Sequence, residues 1–317
     1  MVLVMEKIVF VLEEEWRGAS LPDAEEAVRR YRESGVAAEF MVPGTIKNLL
    51  TEPEFVYKNL MVPGTINFLY VADSGRLLKA LAGAGAAVCG YRHAGNPEER
   101  LVPADYVLME PQWVDRDSLT KIWQRQRDLP WTILETDRCR IREFVPEDID
   151  AICDLYDPVA RRFLEAPSED RRKEKEILDS YIHKVYRLAG YGDWAVLDKE
   201  DDRLIGRMGF SFPSGFWNRD AGAASRTNTG TASAGRGIPD VDAVFGYLIR
   251  ADMRGRGIAT EAGRAVLEYG FTQLGFECIG ADTSILNRIS AKILETFGFV
   301  PVAEEENQRY YILKNQG

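Results

Sequence analysis

The sequence predicts an α/β protein in two units, and three observations carry that prediction. Short apolar, β-prone runs alternate with charged amphipathic runs along most of the chain, the alternation expected of a sheet crossed by helices. At 317 residues the chain is long enough for two hydrophobic cores. Leu129-Pro130-Trp131 reads as a junction between them, dividing residues 1–130 from 131–317.

The first unit reads as a small parallel sheet with right-handed crossovers. Residues 7–12 are apolar and β-prone, and 23–34 form a charged amphipathic helix ending at Gly35. Residues 67–72 are a second buried strand. A helix over 74–81 and the turn Gly83-Ala84-Gly85 follow. Residues 87–91 and 105–109 are further strands, and 115–128 a closing helix. Met-Val-Pro-Gly-Thr-Ile occurs at both 41–46 and 61–66. Two copies are too few for a solenoid, so this reads as a local duplication in a surface segment.

In the second unit, 138–144 is a strand, 146–156 a helix with acidic residues in its first turn, and 171–188 a longer charged helix. Residues 194–197 and 204–212 read as antiparallel neighbours across the polar turn 198–203. The stretch 213–240, rich in Gly, Ala, Ser and Thr, has too few large apolar side chains to offset ordering and reads as a mobile loop. Residues 244–249 are continuously apolar, the pattern of a strand buried on both faces. A helix over 260–274, a strand over 278–283, a helix over 290–297 stopped by Gly298, and a strand over 309–313 complete the unit.

Composition excludes several classes. A hydrophobic content of 45% with 28% charged residues is that of a soluble globular protein. A net charge of −10 disfavours nucleic acid and anionic membrane as partners and favours a cationic acceptor. Cys89, Cys139, Cys153 and Cys278 lie far apart with no C-x-x-C pair, so no metal site is expected and a reduced, cytoplasmic compartment is the simplest inference. The opening apolar run is broken by Glu6 and Lys7 and reads as a strand rather than a signal peptide.

The chemistry concentrates at Arg254-Gly255-Arg256-Gly257, between the strand ending at Ile249 and the helix that includes Thr260. Such a loop stacks backbone N–H groups at a helix N-terminus, where the dipole adds partial positive charge. Glycine lets the backbone approach a ligand and take φ angles closed to other residues. Arg254 and Arg256 bring charges able to fork onto phosphate oxygens. The sequence therefore points to a pyrophosphate seat, with solvated surface charge as the competing reading for the arginines.

Arg254-x-x-Gly257-x-Ala259, Asn287-x-x-Ser290 and Phe297-Gly298-Phe299 follow in order, with the run Thr136-Asp137-Arg138-Cys139-Arg140-Ile141-Arg142 and Leu204-Ile205-Gly206 upstream of them. On these residues, 131–317 resembles the GNAT superfamily of acetyl-CoA-dependent N-acetyltransferases, and most resembles the branch acting on ribosomal-protein N-termini and related amines. The resemblance implies a mixed central sheet whose strands at 244–249 and 278–283 splay around the pantetheine arm of acetyl-CoA. It implies that the amides of Gly255, Arg256, Gly257, Ile258 and Ala259 hold the pyrophosphate, with Thr260 adding a hydroxyl contact. The backbone of Leu248 and Ile249 would bond the arm and polarise the thioester carbonyl. Asn287 would bond the pantetheine, Ser290 would lie near the sulfur, and Lys292 would approach the phosphates. The acceptor it implies is a primary amine, on a protein N-terminus or a small molecule, attacking directly; a homodimer is left open.

Proton handling is less legible. Val244 and Leu294 stand where many members of the superfamily carry a glutamate and a tyrosine. Ser290 remains a candidate for protonating the thiolate and Asp242 for accepting a proton through water, against the readings of a helix cap and an exposed strand-end carboxylate. His93 and His183 read as structural or exposed, and Tyr310-Tyr311 as a packing pair. Acceptor contacts are expected from 147–190 and 213–240.

In the first unit, Leu69-Tyr70-Val71-Ala72-Asp73-Ser74 with Gly85 and the strand 87–91 resembles the second half of a haloacid dehalogenase-like domain; a receiver-like or Rossmann-like domain fits the same pattern. The first strand ends in Leu12-Glu13-Glu14-Glu15 where active members place Asp-x-Asp. This implies a non-hydrolytic domain used for interaction, sensing or acceptor choice. Two rival functions follow: a non-catalytic acyl-CoA sensor, and a phosphatase seated near Asp73.

Overall fold

The computed structural model describes residues 4–41, 45–46, 67–218 and 240–316. It separates into two compact units, Met1–Trp131 and Thr132–Gly317. The second copy of the repeated hexapeptide and most of the 213–240 stretch lie outside the described residues.

The first unit is built on a five-stranded sheet in the order β2-β1-β3-β4-β5. Its strands are β1 (Lys7–Val11), β2 (Ala37–Phe40), β3 (Phe68–Ala72), β4 (Ala87–Tyr91) and β5 (Val107–Leu108), all paired parallel. Alternate residues feed two apolar layers, as the strand period requires. Ile8, Phe10, Leu69, Val71 and Cys89 face Ala24, Val28, Leu119 and Trp123, from the helices Arg17–Glu33 and Arg116–Gln126. Val9, Val11, Tyr70, Ala72 and Val88 face Leu77, Leu78 and Leu81 of the helix Gly75–Gly83. The Arg17–Glu33 helix begins well before the expected residue 23 and contains Pro22. The proline is the sixth residue of that helix, past the first turn, so the helix forgoes the bond a residue 22 N–H would make to the Gly18 carbonyl. Strand β2 was not anticipated; its Ala-Ala-Glu-Phe sequence carries a weak strand pattern and forms an edge against β1.

The second unit carries an eight-stranded sheet in the order β12-β13-β11-β10-β9-β8-β7-β6. These are β6 (Thr132–Glu135), β7 (Cys139–Arg142), β8 (Asp193–Asp198), β9 (Leu204–Ser211), β10 (Ala243–Ile249), β11 (Cys278–Ser284), β12 (Val300–Glu305) and β13 (Gln308–Lys314). Only β10 and β11 pair parallel; every other neighbour is antiparallel. The unanticipated strands β6 and β12 are the two outer edges, where half-exposed residues blur the alternation. The expected 171–188 helix is Arg171–Tyr181, a π-helical turn over Ile182–Tyr186, and Arg187–Ala189, stopped by Gly190 at φ 72°. Trp194, Phe210 and Phe276 pack edge to face beneath the helix Ile258–Thr272, whose Gly270 sits against the Phe210 ring.

Strand β10 departs from its expected burial on both faces. Phe245, Leu248 and Ile249 are buried, but Gly246 is exposed and Val244 and Tyr247 are half-buried. The exposure marks where the sheet opens. All four cysteines are buried and unpaired, and burial pushes the Cys89 thiol up to about 12. No helix among the described residues is long and apolar enough to cross a membrane.

Candidate functional site

Strands β10 and β11 run parallel only at Ala243↔Ile279 and Val244↔Gly280, although each has seven residues. On its other side β10 pairs with β9 through Ile249↔Gly206. Beyond Val244, the edge of β10 that faces β11 therefore has no strand to bond. A cleft occupies this gap, lined by Phe245–Ile249 of β10, Asp282–Ser284 of β11, Asn287 and Ser290 of the following turn and helix, and Arg254 and Ala259 of the loop. Unpaired backbone donors and acceptors beside an apolar cleft can accept an extended amide-bearing chain as an added strand.

At one end of the cleft stands the N-terminus of the helix Ile258–Thr272. Gly257 precedes it at φ 79° and makes no side-chain cap, and Gly255 lies at φ 73°. Both angles fall in the left-handed region that favours glycine. The amide of Glu261 is bonded to the Gly257 carbonyl; those of Ile258, Ala259 and Thr260 precede it and have no intrahelical partner. The helices Gly75–Gly83, Arg116–Gln126, Arg171–Tyr181 and Arg288–Thr296 instead carry side-chain caps from Ser74, Asp115, Asp170 and Asn287. Arg138 braces the loop: its Nε donates to Glu261 at 2.6 Å and its Nη1 to the Arg256 carbonyl at 2.9 Å. Sequence reading gave Arg138 no role in the site.

The structure brings some of the expected site residues to the cleft and leaves others away from it. Leu248, Ile249, Arg254, Ala259, Asn287 and Ser290 line the cleft. Arg254, however, does not present its guanidinium for phosphate. Its Nε donates to the Ile249 carbonyl at 2.8 Å, and Nη1 and Nη2 fork onto Asp157 at 3.1 and 2.8 Å. The hydrogen bonds from Arg254 hold the Asp157 carboxyl below its usual range. Arg256 is exposed, Ile258 turns its side chain into the core, and Thr260 is half-buried in the first turn. Lys292 is exposed and is not among the residues lining the cleft. Leu294 is buried at 2% exposure, and Val244 packs against Val241, Cys278 and Ile312, so neither offers a polar group.

Asp242 is a clear correction. Its Oδ2 accepts the Glu277 and Cys278 amides at 2.7 and 2.9 Å, and its own N–H donates to the Cys278 carbonyl. It fastens the paired end of β10 to β11, at the end of β10 opposite the opening, and its acceptor capacity is spent on backbone. Asn287 caps its helix, taking the Ser290 amide on Oδ1 at 3.2 Å. This frees the Ser290 hydroxyl, which lies 3.1 Å from the Tyr247 hydroxyl. Burial pushes the Tyr247 phenol up, and the Ser290 hydrogen bond offsets that only in part. Tyr247 was missed as a site residue because the apolar run around it reads as core. The alternation placing it on one face with Phe245 and Ile249, its polar hydroxyl beside them, was the available clue.

A second polar group lies at the carboxyl ends of β1, β3 and β4. The Glu13 amide donates to Asp73 Oδ1 at 2.9 Å, and the Ser74 hydroxyl to Glu13 Oε1 at 2.6 Å. Arg76 forks onto the Glu13 carboxylate. Asn96 donates to the Asp73 and Tyr91 carbonyls. His93 Nε2 faces Asp73 Oδ2 at 3.4 Å, both side chains nearly fully buried, so His93 does meet a carboxylate that its sequence surroundings conceal. The Gly95 amide donates to Nδ1 at 3.1 Å, which leaves the proton of a neutral ring on Nε2, toward Asp73.

Residues 138–300 match the family model described as Acetyltransferase (GNAT) domain. The chain is 26% identical over 168 residues to the uncharacterized N-acetyltransferase p20 of Bacillus licheniformis, covering 52% of this chain and 81% of that protein. It is 26% identical over 185 residues to the uncharacterized N-acetyltransferase YoaA of Bacillus subtilis (strain 168), covering 58% of this chain and 89% of that protein. Among solved structures, an acetyltransferase from Agrobacterium tumefaciens str. C58 aligns at TM-score 0.44 and 19% identity, over 57% of this chain and 94% of its own.

Proposed function

From the premise that this chain belongs to the GNAT acetyltransferase family, we propose that the second unit transfers acetyl from acetyl-CoA to a primary amine at the β10–β11 opening. The observation that carries this reading is the register that stops at Val244↔Gly280 beside an uncapped helix N-terminus. The two features suit the two parts of one donor. Free amides at Ile258, Ala259 and Thr260, with Gly255 and Gly257 before them, suit the pyrophosphate. The unpaired edge along Phe245–Ile249 suits the amide-bearing pantetheine arm. Arg256 is the exposed arginine able to reach phosphate, while Arg254 holds the loop by joining Ile249 to Asp157.

Acetyl-CoA, when bound, supplies the activated acyl group; the chain supplies position and protons. An N–H of the unpaired β10 edge is suited to hold the thioester carbonyl oxygen. Ser290 is suited to give a proton to the departing sulfur, and Tyr247, at hydrogen-bond distance, to resupply it. Burial keeps the Tyr247 phenol protonated well above neutral pH, so the pair can donate throughout the physiological range.

Calorimetric titration of the full chain with acetyl-CoA tests the donor site, and a mass-shift screen of amines and short peptides with acetyl-CoA tests transfer. Micromolar binding with a 42-dalton-type acetyl adduct on an amine is the expected outcome. No heat of binding at high micromolar ligand would sink the reading.

A further inference from the structure

Asp282 stands two positions past Gly280, the last residue of β11 still paired with β10, and it lines the cleft. Strand alternation puts Gly280 and Asp282 on one face, together with Val244 and Gly246 of the neighbouring strand. Two observations support that face: the Trp217 indole packs 3.1 Å from where a Cβ at 280 would be, and Trp217 and Val244 both pack against the cluster of Val241, Cys278 and Ile312. Tyr247 belongs to the other face, where its hydroxyl meets Ser290. A carboxylate and a hydroxyl pair thus stand on opposite sides of the gap. Gly246 has no atom within 4 Å of a would-be Cβ, so the space beside it is open.

The surroundings of Asp282 are unusual for a carboxylate. Among the described residues its one hydrogen-bond partner is the Trp217 indole N–H at 3.5 Å, and no lysine, arginine or histidine pairs with it. Asp282 is open to solvent, yet the protein atoms crowded around its carboxyl push it up, against the smaller effect of that indole. Tyr310 lies directly across on β13. Its ring stacks on Phe216 at 3.7 Å and 14°, and meets Trp217 edge-on at 5.6 Å. A carboxylate with no cation beside it among the described residues, open to solvent next to the Trp217 indole, suits an organic cation: the carboxylate takes the charge and the neighbouring ring faces take the hydrocarbon and the cation.

We propose that Asp282, Trp217 and Tyr310 form the acceptor subsite, that it takes a primary alkylammonium, and that Asp282 removes its proton. The assignment rests on acetyl transfer in this cleft. One ammonium proton passes to Asp282. The nitrogen lone pair then forms the bond to the acetyl carbon, while the carbon–sulfur bond breaks and its electron pair goes to sulfur. Sulfur takes a proton from the Ser290–Tyr247 pair, and the second proton shed by nitrogen returns through water to that pair. The products are the amide, the free thiol and one proton, held on Asp282 until released to water.

Steady-state kinetics of the full chain with acetyl-CoA and n-butylamine, 1,4-diaminobutane or 4-methylaniline test this, the last being uncharged near neutral pH. The wild type is expected to acetylate both alkylamines. Asp282→Asn is expected to lower kcat/KM for them by about 100-fold, to move the acidic limb of their pH profile up toward the ordinary alkylammonium value of about 10, and to change 4-methylaniline less than about threefold. Its acetyl-CoA affinity, read by calorimetry, stays within about twofold of wild type, and Trp217→Ala raises the alkylamine KM more than it lowers kcat. Retained alkylamine kcat/KM in Asp282→Asn, or an equal loss for 4-methylaniline, would overturn the assignment. So would turnover of Ala- or Ser-initiated peptides with none of the alkylamines. Failure of the wild type to bind acetyl-CoA would instead overturn the parent reading.

Discussion

Beyond β1 and β3 of the first unit, Glu13, Asp73 and Ser74 turn polar atoms onto one another, whereas beyond the last paired residues of β10 and β11 the strands part and Asp282 meets, among the described residues, only an indole N–H. Both places are ends of parallel strands, where α/β proteins commonly bind ligands. The difference lies in where hydrogen-bonding capacity is spent, even though Asp73 Oδ2 and His93 Nε2 face each other at 3.4 Å in the first unit without a hydrogen bond. In the first unit Glu13 is 3% exposed and held by Ser74 and Arg76, which outweigh the upward push of burial and leave its carboxyl below the usual range. In the second, a strand edge, a helix N-terminus and a carboxylate keep capacity in reserve. Polar residues at a strand end are therefore not in themselves evidence of chemistry; unspent capacity beside a cleft is.

The open end breaks most severely at Gly257. Gly257→Val places a β-branched residue at φ 79°, a conformation that such residues avoid, and crowds the uncapped amides. Acetyl-CoA affinity is expected to fall by about 100-fold, roughly 2.7 kcal/mol, in calorimetry. An affinity within a few-fold of wild type would mean that the donor phosphates sit elsewhere.

The hydroxyl pair gives the next largest effect. Ser290→Ala is expected to lower kcat by about 10- to 100-fold with acetyl-CoA affinity unchanged, since the Asn287 cap uses the Ser290 amide and not its side chain. Tyr247→Phe should lower it less. The double variant should fall little below Ser290→Ala alone, because the two act through one proton path; additive losses measured in single-turnover experiments would separate their roles.

How much of this was legible follows the same division. Gly255, Gly257 and the asparagine–serine turn were readable because backbone geometry forces particular residue types at fixed spacing. The α/β alternation and the mixed nature of the second sheet were readable for a similar reason, since long periodic segments carry their own signal. Asp282, Trp217 and Tyr310 were not, as they come from three separate segments and meet only through the β11–β13 register. Arg254 was misread because sequence shows a charge but not its partner, and Asp157 lies 97 residues away. The edge strands β2, β6 and β12 escaped because short, partly exposed runs do not alternate cleanly.

The closed end should respond in stability rather than in ligand affinity. Arg76→Ala removes the cation from a carboxylate whose side chain is 4% exposed, although Arg76 itself is 63% exposed. A loss of about 1–3 kcal/mol is expected, below the range for a fully buried pair because solvent reaches the arginine. Urea unfolding of the full chain followed by the first unit's transition would measure it. No shift would mean that Ser74 alone satisfies Glu13.

The smallest effect is the most specific. Burial pushes Asp73 up to about 7 and pushes His93 below its ordinary value. Folded Asp73 keeps a proton that the unfolded chain releases near about pH 4, so the stability it adds is complete below that range and is lost as pH rises through about 7. His93 works in the other direction: the folded chain lacks a proton that the unfolded chain takes up below about pH 6.5, so its contribution is lost as pH falls. Between about pH 6.5 and 7.5, below the range in which the unfolded chain's Cys89 titrates, Asp73 dominates, and the first unit should lose stability with a slope no steeper than about 1.4 kcal/mol per pH unit. Asp73→Asn keeps an acceptor for the Glu13 amide but cannot titrate, so its urea midpoint should be flat over that window whatever its absolute stability. A wild-type midpoint that rises with pH there would mean that the buried proton resides on a different group, and that the strand end facing His93 is less sealed than its hydrogen bonds imply.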